Sequence, residues 1–207
     1  MGYGQQHPLF GLNGGISIAS QKWESSNYLR TQVRGPRTGL LIAGNMEFYH
    51  REQLSLVTEL AYVQKGSFLD IERLDPKQPR LSQGVVSIKY RVDYIHWWAA
   101  IKLKAQWDRL QPYVFLGPRL DVQISPPVEL PIASLGRAKF LFGSTCGGGL
   151  QYLPKGRNYI VFVQGTMLYD FRELHSAENE SQTYSTRVFN VAFGFTAGVM
   201  TQIIFDR

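Results

Sequence analysis

The chain lacks most features that stabilise small secreted domains or helical membrane proteins. Cys146 is the only cysteine among 207 residues, which excludes an intramolecular disulfide and a cysteine-rich metal site. No segment approaches the roughly 18 to 20 consecutive apolar residues of a membrane-spanning helix. The start, MGYGQQHP, has no basic segment followed by an apolar one, so no secretory signal is visible. If the protein is exported, we expect that a signal has been removed.

Charged residues are scarce as well, at 18% against roughly 25% in an ordinary soluble domain. Aromatic residues reach 13%, and there are 20 glycines. This composition indicates that much of the surface does not face water. The net charge is +6, but the chain has no basic run and no RNA-binding aromatic motif, so we expect no nucleic-acid partner.

Strict alternation of apolar and polar residues dominates the sequence, and long segments with helical periodicity are missing. The pattern predicts an all-β single domain over residues 1–207, with eight antiparallel strands. Their expected bounds are Phe10–Ser20, Thr38–Tyr49, Leu54–Lys65, Val85–Gln106, Pro112–Ile124, Lys139–Leu153, Tyr159–Phe171 and Arg187–Ile203.

The connections between these strands alternate in length. Those after strands two, four and six are short, whereas those after the odd-numbered strands are long and polar: 21–37, 66–84, 125–138 and 172–186. All short turns therefore lie at one end of an up-and-down meander. Transmembrane β-barrels of bacterial outer membranes have this asymmetry, with short periplasmic turns and long extracellular loops. We expect that location, with both termini in the periplasm.

The direction of the bulky apolar side chains, inward or outward, indicates whether water or lipid surrounds the barrel. In the last strand the residues at odd-numbered positions are large and apolar, and those at even-numbered positions are small and uncharged. The small set makes a poor water-facing surface but a good interior for a narrow barrel. We therefore predict that the apolar parity faces lipid. The predicted lipid-facing residues are Phe189, Val191, Phe193, Phe195, Ile101 and Leu103.

The same alternation places ionic residues inside the predicted barrel. This set has three acids and three bases, namely Glu47, Glu59, Asp121, Lys102, Lys104 and Arg119. An eight-stranded barrel is just wide enough for side chains to fill it, so we predict a plugged lumen with a charge network. The alternative is a soluble sheet with these charges in water.

Strands six and seven fit the alternation less well, because Gly148 and Gly165 would face lipid. We expect a β-bulge there and another near Pro118.

Aromatic residues flank every short turn. Trp and Tyr favour the headgroup region of a membrane, so these positions predict an interfacial girdle. Its members are Tyr49, Trp107, Tyr113, Tyr152 and Tyr159. The alternative is that they plug the end of a soluble barrel. The fourth strand is too long for one crossing, and we expect residues 85–94 to rise above the membrane and pair with the end of strand three.

The order of several phrases resembles the PorT-like outer-membrane β-barrel family of Gram-negative bacteria. The matching phrases are GLNGGISIAS, LVTELAYVQKGSF, QPYVFLGPRLDV and FLFGSTCGGGLQY, followed by a Phe-rich strand, and they cover nearly the whole chain. Two positions depart from the family pattern: Gln151 replaces the usual acid of strand six, and the chain ends FDR, with its last aromatic at Phe205. The resemblance implies a small closed barrel in the cell envelope and, for some members, an accessory role in protein secretion.

Catalytic chemistry has little support in the sequence. Lipid A-modifying barrels need a His beside a Ser or an acid, and only His96 lies on a strand near the outer rim, with Ser87 and Asp93 on the same strand. A hydrogen-bonded lumen residue is the alternative for His96. No His or Cys pair has metal-ligand spacing, so we expect no catalytic residue, metal or cofactor.

The sequence thus predicts a structural or protein-interaction role in the outer membrane, as a free-standing barrel or as an accessory subunit of a secretion or envelope complex. The alternatives are a soluble lipocalin-like ligand-binding barrel and a lipid A-modifying enzyme. Expected partners are outer-membrane lipid, other envelope proteins and lipopolysaccharide. Anionic lipopolysaccharide would meet the basic residues of the long loops, which are Arg30, Arg34, Arg37, Lys77, Arg80 and Arg137.

Overall fold

A computed structural model describes residues 8–25, 34–49, 51, 53–74, 82–125, 140–156, 158–171, 176–178 and 185–202. These residues form eight long strands and one three-residue strand. They are β1 (Leu9–Ser25), β2 (Arg34–Phe48), β3 (Leu54–Leu74), β4 (Ser82–Lys104), β5 (Leu110–Gln123), β6 (Phe140–Tyr152), β7 (Tyr159–Asp170), β8 (Ser176–Glu178) and β9 (Ser185–Gln202). In the described ranges no helix is long and apolar enough to span a membrane.

The strands form one antiparallel sheet in the order β1-β2-β3-β4-β5-β6-β7-β9, and β1 also pairs with β9. This last pairing, from Leu9↔Gln202 to Ser25↔Thr186, closes the sheet into an eight-stranded barrel. The short β8 only adds to the upper part of β9. The predicted fold class, an eight-stranded up-and-down barrel of the outer-membrane type, is confirmed. Closure removes the unpaired edges that an open sheet of this size would expose.

Tight turns join the strands at the lower end of the barrel. Between β4 and β5, Trp107 and Leu110 exchange two backbone hydrogen bonds of 2.8 Å around Asp108, which has a φ of 51°. Asp tolerates this left-handed conformation better than most residues. Gly156, with a φ of 68°, occupies the corresponding turn between β6 and β7. These turns fix the register of the strands that they connect.

At the opposite end the strands continue into segments predicted as loops. β3 and β4 pair as far as Leu74↔Ser82, while β4 pairs with β5 only up to Tyr94↔Gln123. In the described residues β2 pairs with β3 no further than Arg34↔Leu69, so residues 70–74 and 82–87 form a two-stranded extension, which we call the β3–β4 ribbon. The expected pairing of residues 85–94 with the end of strand three is confirmed. The predicted loop 66–84 is too long, because antiparallel pairing continues through most of it.

The expected β-bulges in the second half of the chain are wrong. β5–β6 and β6–β7 keep one register throughout, and β4–β5 keeps the same register on both sides of Pro118. Gly148 and Gly165, which pair with each other, do lie on the outer face. The irregularities lie instead between Pro36 and Leu41 in β2 and between Glu72 and Leu74 in β3. These glycines do not shift the inward–outward alternation of the strands. Glycine has no side chain, so it fits on either face of a sheet.

Candidate functional site

The upper interior is organised around the buried carboxylate of Asp121. Its Oδ2 accepts a hydrogen bond of 2.5 Å from Lys65 Nζ, and its Oδ1 lies 2.7 Å from His96 Nδ1. Arg119 Nε lies 3.3 Å from the same Oδ1 and its guanidinium also pairs with Asp170 of β7. One carboxylate on β5 thereby links side chains of three strands. Because charge-assisted bonds are stronger than neutral ones, this cluster ties β3, β4, β5 and β7 together.

A second cluster lies lower in the barrel, around Glu47 of β2. Its two carboxylate oxygens accept hydrogen bonds from Lys102 Nζ at 2.7 Å and Lys104 Nζ at 2.9 Å. Lys102 Nζ also lies 4.1 Å from the ring centroid of Tyr113, a cation–π contact. Among the contacts of the described residues, two ammonium groups share the Glu47 carboxylate.

Glu59 lies between the two clusters and accepts hydrogen bonds from neutral groups. Asn13 Nδ2 donates at 2.8 Å and Trp98 Nε1 at 3.0 Å. The indole of Trp98 stacks on Phe115, with 5.0 Å between ring centroids and 6° between ring planes. These contacts connect β1, β3, β4 and β5 at the centre of the barrel.

The structure places all six residues of the predicted charge network in the interior, each no more than 5% exposed. Lys65 and Asp170, which the sequence analysis missed, are buried with them. Among the described residues the buried set therefore contains four acids and four bases, so the balance is kept. The alternation along the strands predicts both. Lys65 lies on the same face of β3 as Glu59, and Asp170 lies on the same face of β7 as Phe162. The interior also holds bulky apolar groups, including Leu141, Leu168 and Phe162.

The outer face carries the bulky apolar parity. Phe193, Phe195, Ile101 and Leu103 are each 45% to 55% exposed, and Val191 is partly exposed. The side chain of Phe189 lies outside the described residues. Further exposed apolar residues on other strands include Leu12, Ile42, Leu60, Trp97, Leu116 and Phe142. The apolar surface therefore extends around the barrel.

The predicted aromatic girdle needs one correction. Tyr49, Trp107, Tyr152 and Tyr159 are exposed on the lower outer surface, but Tyr113 is buried in the lumen. Tyr113 has the inward parity of Phe115, and its hydroxyl donates a hydrogen bond of 3.1 Å to Gln164 Oε1. Proximity to a turn suggested an interfacial position, whereas strand parity decides the direction of the side chain.

Polar side chains mark the upper edge of the outer face. Arg91 forms two hydrogen bonds of 2.8 Å to Asp93, and its NH2 group donates to the Tyr62 hydroxyl at 3.1 Å. The hydrogen bonds from Arg91 hold the pKa of Asp93 below its usual value, so this carboxylate stays ionised in mildly acidic solution. On β4 the apolar outer surface thus ends near Ile95, the next outward-facing residue below Asp93.

The described side chains with catalytic potential do not form a solvent-accessible site. His96 is 2% exposed and bound to Asp121, which matches the lumen alternative rather than an outer active site. Cys146 is on the exposed outer face of β6. Within the described residues no group of three His, Cys, Asp or Glu side chains has a geometry that would hold a metal ion.

Comparison with known proteins gives the fold. No family model matches the chain, so the PorT-like resemblance stays a prediction. No curated protein matches its sequence either. The solved structures that resemble it include the outer-membrane protein OprG of Pseudomonas aeruginosa, with a TM-score of 0.58 and 11% identity over 97% of this chain and 99% of that one.

Two further similar structures are also outer-membrane proteins. The outer-membrane protease OmpT of Escherichia coli has a TM-score of 0.53 and 9% identity over 98% and 99% of the two chains. The outer-membrane protein AlkL has a TM-score of 0.50 and 10% identity over 100% and 95%. At such low identity the likeness establishes the barrel fold alone.

Proposed function

We propose that this chain is an integral outer-membrane barrel with a closed interior and a structural or protein-interaction role. The observation that carries the proposal is the inversion of an ordinary protein: apolar side chains cover the outside, while four acidic and four basic side chains are buried inside. In water such an exterior would aggregate, whereas in lipid it is matched to its solvent. The likeness to outer-membrane barrels supports the same location.

The closed interior disfavours the lipocalin-like alternative. A lipocalin needs an apolar cavity for its ligand, but here Trp98, Phe115 and the ion pairs of Glu47 and Asp121 occupy the centre. The enzyme alternative needs accessible reacting groups, and the buried His96 offers none to a substrate outside. We therefore propose a role that depends on surfaces rather than on lumen chemistry.

The finer assignment is an accessory subunit of a secretion or envelope complex, as the PorT-like resemblance implies. The β3–β4 ribbon supports it, because this element extends past β5 and offers a partner a surface above the membrane. Lipopolysaccharide is the proposed lipid partner. Arg37 is the member of the basic set whose side chain the structure describes, and it lies close enough to Arg91 and Asp93 to interact electrostatically with both. Arg30, Lys77, Arg80, Arg137 and the side chain of Arg34 lie outside the described residues.

Extraction and electrophoresis test the location. The purified protein should require detergent, migrate faster on gels before boiling than after it, and add no conductance to a planar bilayer. A protein that dissolves without detergent and migrates identically before and after boiling would overturn the proposal. A steady single-channel conductance would overturn the closed interior alone.

Partner binding is tested separately, by co-purification from native membranes. The wild-type chain is compared with a variant in which residues 70–87 are replaced by a short Asn-Gly turn. We expect the variant to fold and to lose a stoichiometric partner, while alanine at the six loop cations should reduce retained lipopolysaccharide. Unchanged partner and lipopolysaccharide content would remove both interactions.

A further inference from the structure

The long strand β4 has one side that no described strand covers at its upper end. β3 pairs with β4 as far as Ser82, whereas β5, on the other side, pairs with it only up to Tyr94. One further backbone hydrogen bond of 3.0 Å joins Ile124 N to the Asp93 carbonyl oxygen. In the part of the chain that the structure describes, residues 85–92 therefore form an open sheet edge, which we call the β4 edge.

The backbone groups of alternate β4 residues point toward this edge. Asp93 accepts from β5, and its N–H donates to the Ser125 hydroxyl at 2.9 Å. The N–H of Lys104 donates instead to Gln53 on the β3 side, at 2.9 Å. Odd-numbered residues of β4 thus direct their backbone groups away from β3, and even-numbered ones toward it. The register with β3 is unbroken over 85–91, so the odd-numbered residues there present their N–H and C=O groups to the open edge.

The sequence after β5 prevents that strand from extending along the β4 edge. In the register of the β4–β5 pair, the residue opposite Arg91 would be Pro126, and Pro127 follows it. Proline has no backbone N–H, so it cannot donate to the carbonyl oxygen of Arg91. The ladder between β4 and β5 therefore ends for a chemical reason just where the edge begins.

The β4 edge has the composition of a regular strand. Its sequence, VVSIKYRV, is rich in β-branched and aromatic residues and contains no proline. Proteins commonly protect such edges with a proline or a bulge, but residues 85–92 have neither. Elsewhere at the upper end of the barrel, β8 pairs with β9 above the last pairing of β9 with β7. An upper sheet edge of this molecule thus already takes an added strand.

The orientation of the barrel excludes a second copy as the occupant. Two identical strands pair antiparallel about a two-fold axis perpendicular to both strands. Copies inserted in the same direction are related by an axis along the membrane normal, which cannot pair their β4 edges in this way. The occupant is therefore an extended segment of a different protein.

The charge of the edge selects the kind of segment. Residues 82–92 contain two cations, Lys89 and Arg91, and no acid. Both are odd-numbered, so they share one face of β4. Opposite charges placed directly across a strand pair are stabilising, and like charges are destabilising. An acidic segment therefore fits this edge better than a basic one.

We propose that the β4 edge binds an extended acidic segment of a partner protein by β-strand addition. This inference rests on the proposed interaction role and names the kind of partner. The segment continues the line of β5, and its backbone exchanges hydrogen bonds with the odd-numbered residues of 85–91. In this mode of recognition the main-chain hydrogen bonds supply affinity, and the side chains that face each other supply selectivity.

Amide hydrogen exchange of the whole chain in lipid nanodiscs tests whether the edge is open. The N–H groups of Ser87, Lys89 and Arg91 should exchange at least about tenfold faster than those of Ile88 and Tyr90, which donate to β3. Slow exchange at both sets would show that the chain covers this edge itself and would overturn the proposal.

Peptide binding to the nanodisc-inserted chain tests strand addition. The probe is a fluorescein-labelled peptide of about eight residues, in which Val and Thr alternate and two Thr are replaced by Glu. A second probe has Lys at those two positions, and a third is the Glu probe with every backbone nitrogen methylated. We expect the wild type to bind the Glu probe about threefold more tightly than the Lys probe and not to bind the methylated one.

Proline substitutions at the edge locate the binding site. The double variant Val85→Pro, Ser87→Pro removes two edge N–H groups but none that donates to β3, so it should fold and bind the Glu probe about tenfold more weakly. Faster gel migration before boiling checks its folding. The matched control, Val85→Thr with Ser87→Thr, keeps both N–H groups and should bind as the wild type does. No binding by the wild type, or equal binding by the proline variant or of the methylated probe, would overturn strand addition.

Co-purification from native membranes separates this outcome from failure of the proposed function. We expect a stoichiometric partner to be lost both from the proline variant and from the variant that lacks residues 70–87. A partner that is lost from the deletion variant but kept by the proline variant would leave the interaction role standing and refute strand addition. A partner kept by both would remove the proposed role of the ribbon as well.

Discussion

At the residue scale, the barrel depends on single carboxylates that several cations share. Asp121 binds Lys65 and His96 and lies beside Arg119. Asp121→Asn should lower the free energy of unfolding by about 3–5 kcal/mol, because it leaves buried cations without their counter-charge. Urea unfolding in lipid bilayers measures the change.

The matched control for this substitution is Asp93→Asn. This carboxylate also pairs with an arginine, but that arginine, Arg91, is exposed at the upper rim. Water and salt screen such a pair, so its removal should change stability far less. Equal losses for the two variants would mean that burial of the Asp121 cluster does not matter to stability.

Close backbone approach makes a second prediction at this scale. A Cβ on Gly117 would collide with the Ala99 carbonyl oxygen, so β4 and β5 would have to separate. Gly117→Ala should destabilise the barrel by about 1–3 kcal/mol in the same urea assay. In Gly14→Ala the nearest atom is 3.9 Å away, and this control should fold as the wild type does. Equal effects of the two substitutions on stability would contradict this close approach of β4 and β5.

Residue direction was predictable from the sequence where the alternation is strict. Glu47, Glu59 and Lys102 lie inside, as their parity predicts. For Tyr113 the nearness to a turn predicts an interfacial position, whereas the alternation along β5 predicts an inward one, and the inward position is correct. The partners of Glu59 could not be predicted, because the stagger between non-neighbouring strands decides which inward side chains meet.

At the element scale, strand existence and order followed from the sequence, whereas the upper ends of the strands did not. β1 continues to Ser25 because β9 pairs with it that far. The sequence there is polar, and polar residues predict a loop when the pairing partner is unknown. Local composition therefore underestimates the length of strands whose upper ends are polar.

The β3–β4 ribbon gives the prediction for this scale. Above Leu69↔Ile88 the two strands pair with each other and with no other described strand. Replacing residues 70–87 with an Asn-Gly turn should therefore leave the barrel folded, since type I′ turns join antiparallel strands directly. Faster migration of the unboiled sample on gels measures folding. Loss of that migration would mean that the ribbon supports the barrel.

At the scale of the whole molecule, we propose that lipid surrounds the apolar face and that the lumen is closed. Trp97 and Trp98 are consecutive on β4, yet Trp97 is 46% exposed outside and Trp98 is 1% exposed inside. Alternation along a strand separates the two indoles by the thickness of the barrel wall. They therefore report on the two environments at nearly the same height.

The most direct test is fluorescence quenching by lipids with brominated acyl chains. One variant keeps only Trp97 and the other only Trp98, with the remaining tryptophans replaced by phenylalanine, and both are inserted into vesicles. We predict strong quenching of Trp97 by the brominated chains, weak quenching of Trp98, and little quenching of either by aqueous iodide. Quenching of Trp97 by iodide but not by brominated lipid would show that the outer face meets water and would contradict the account.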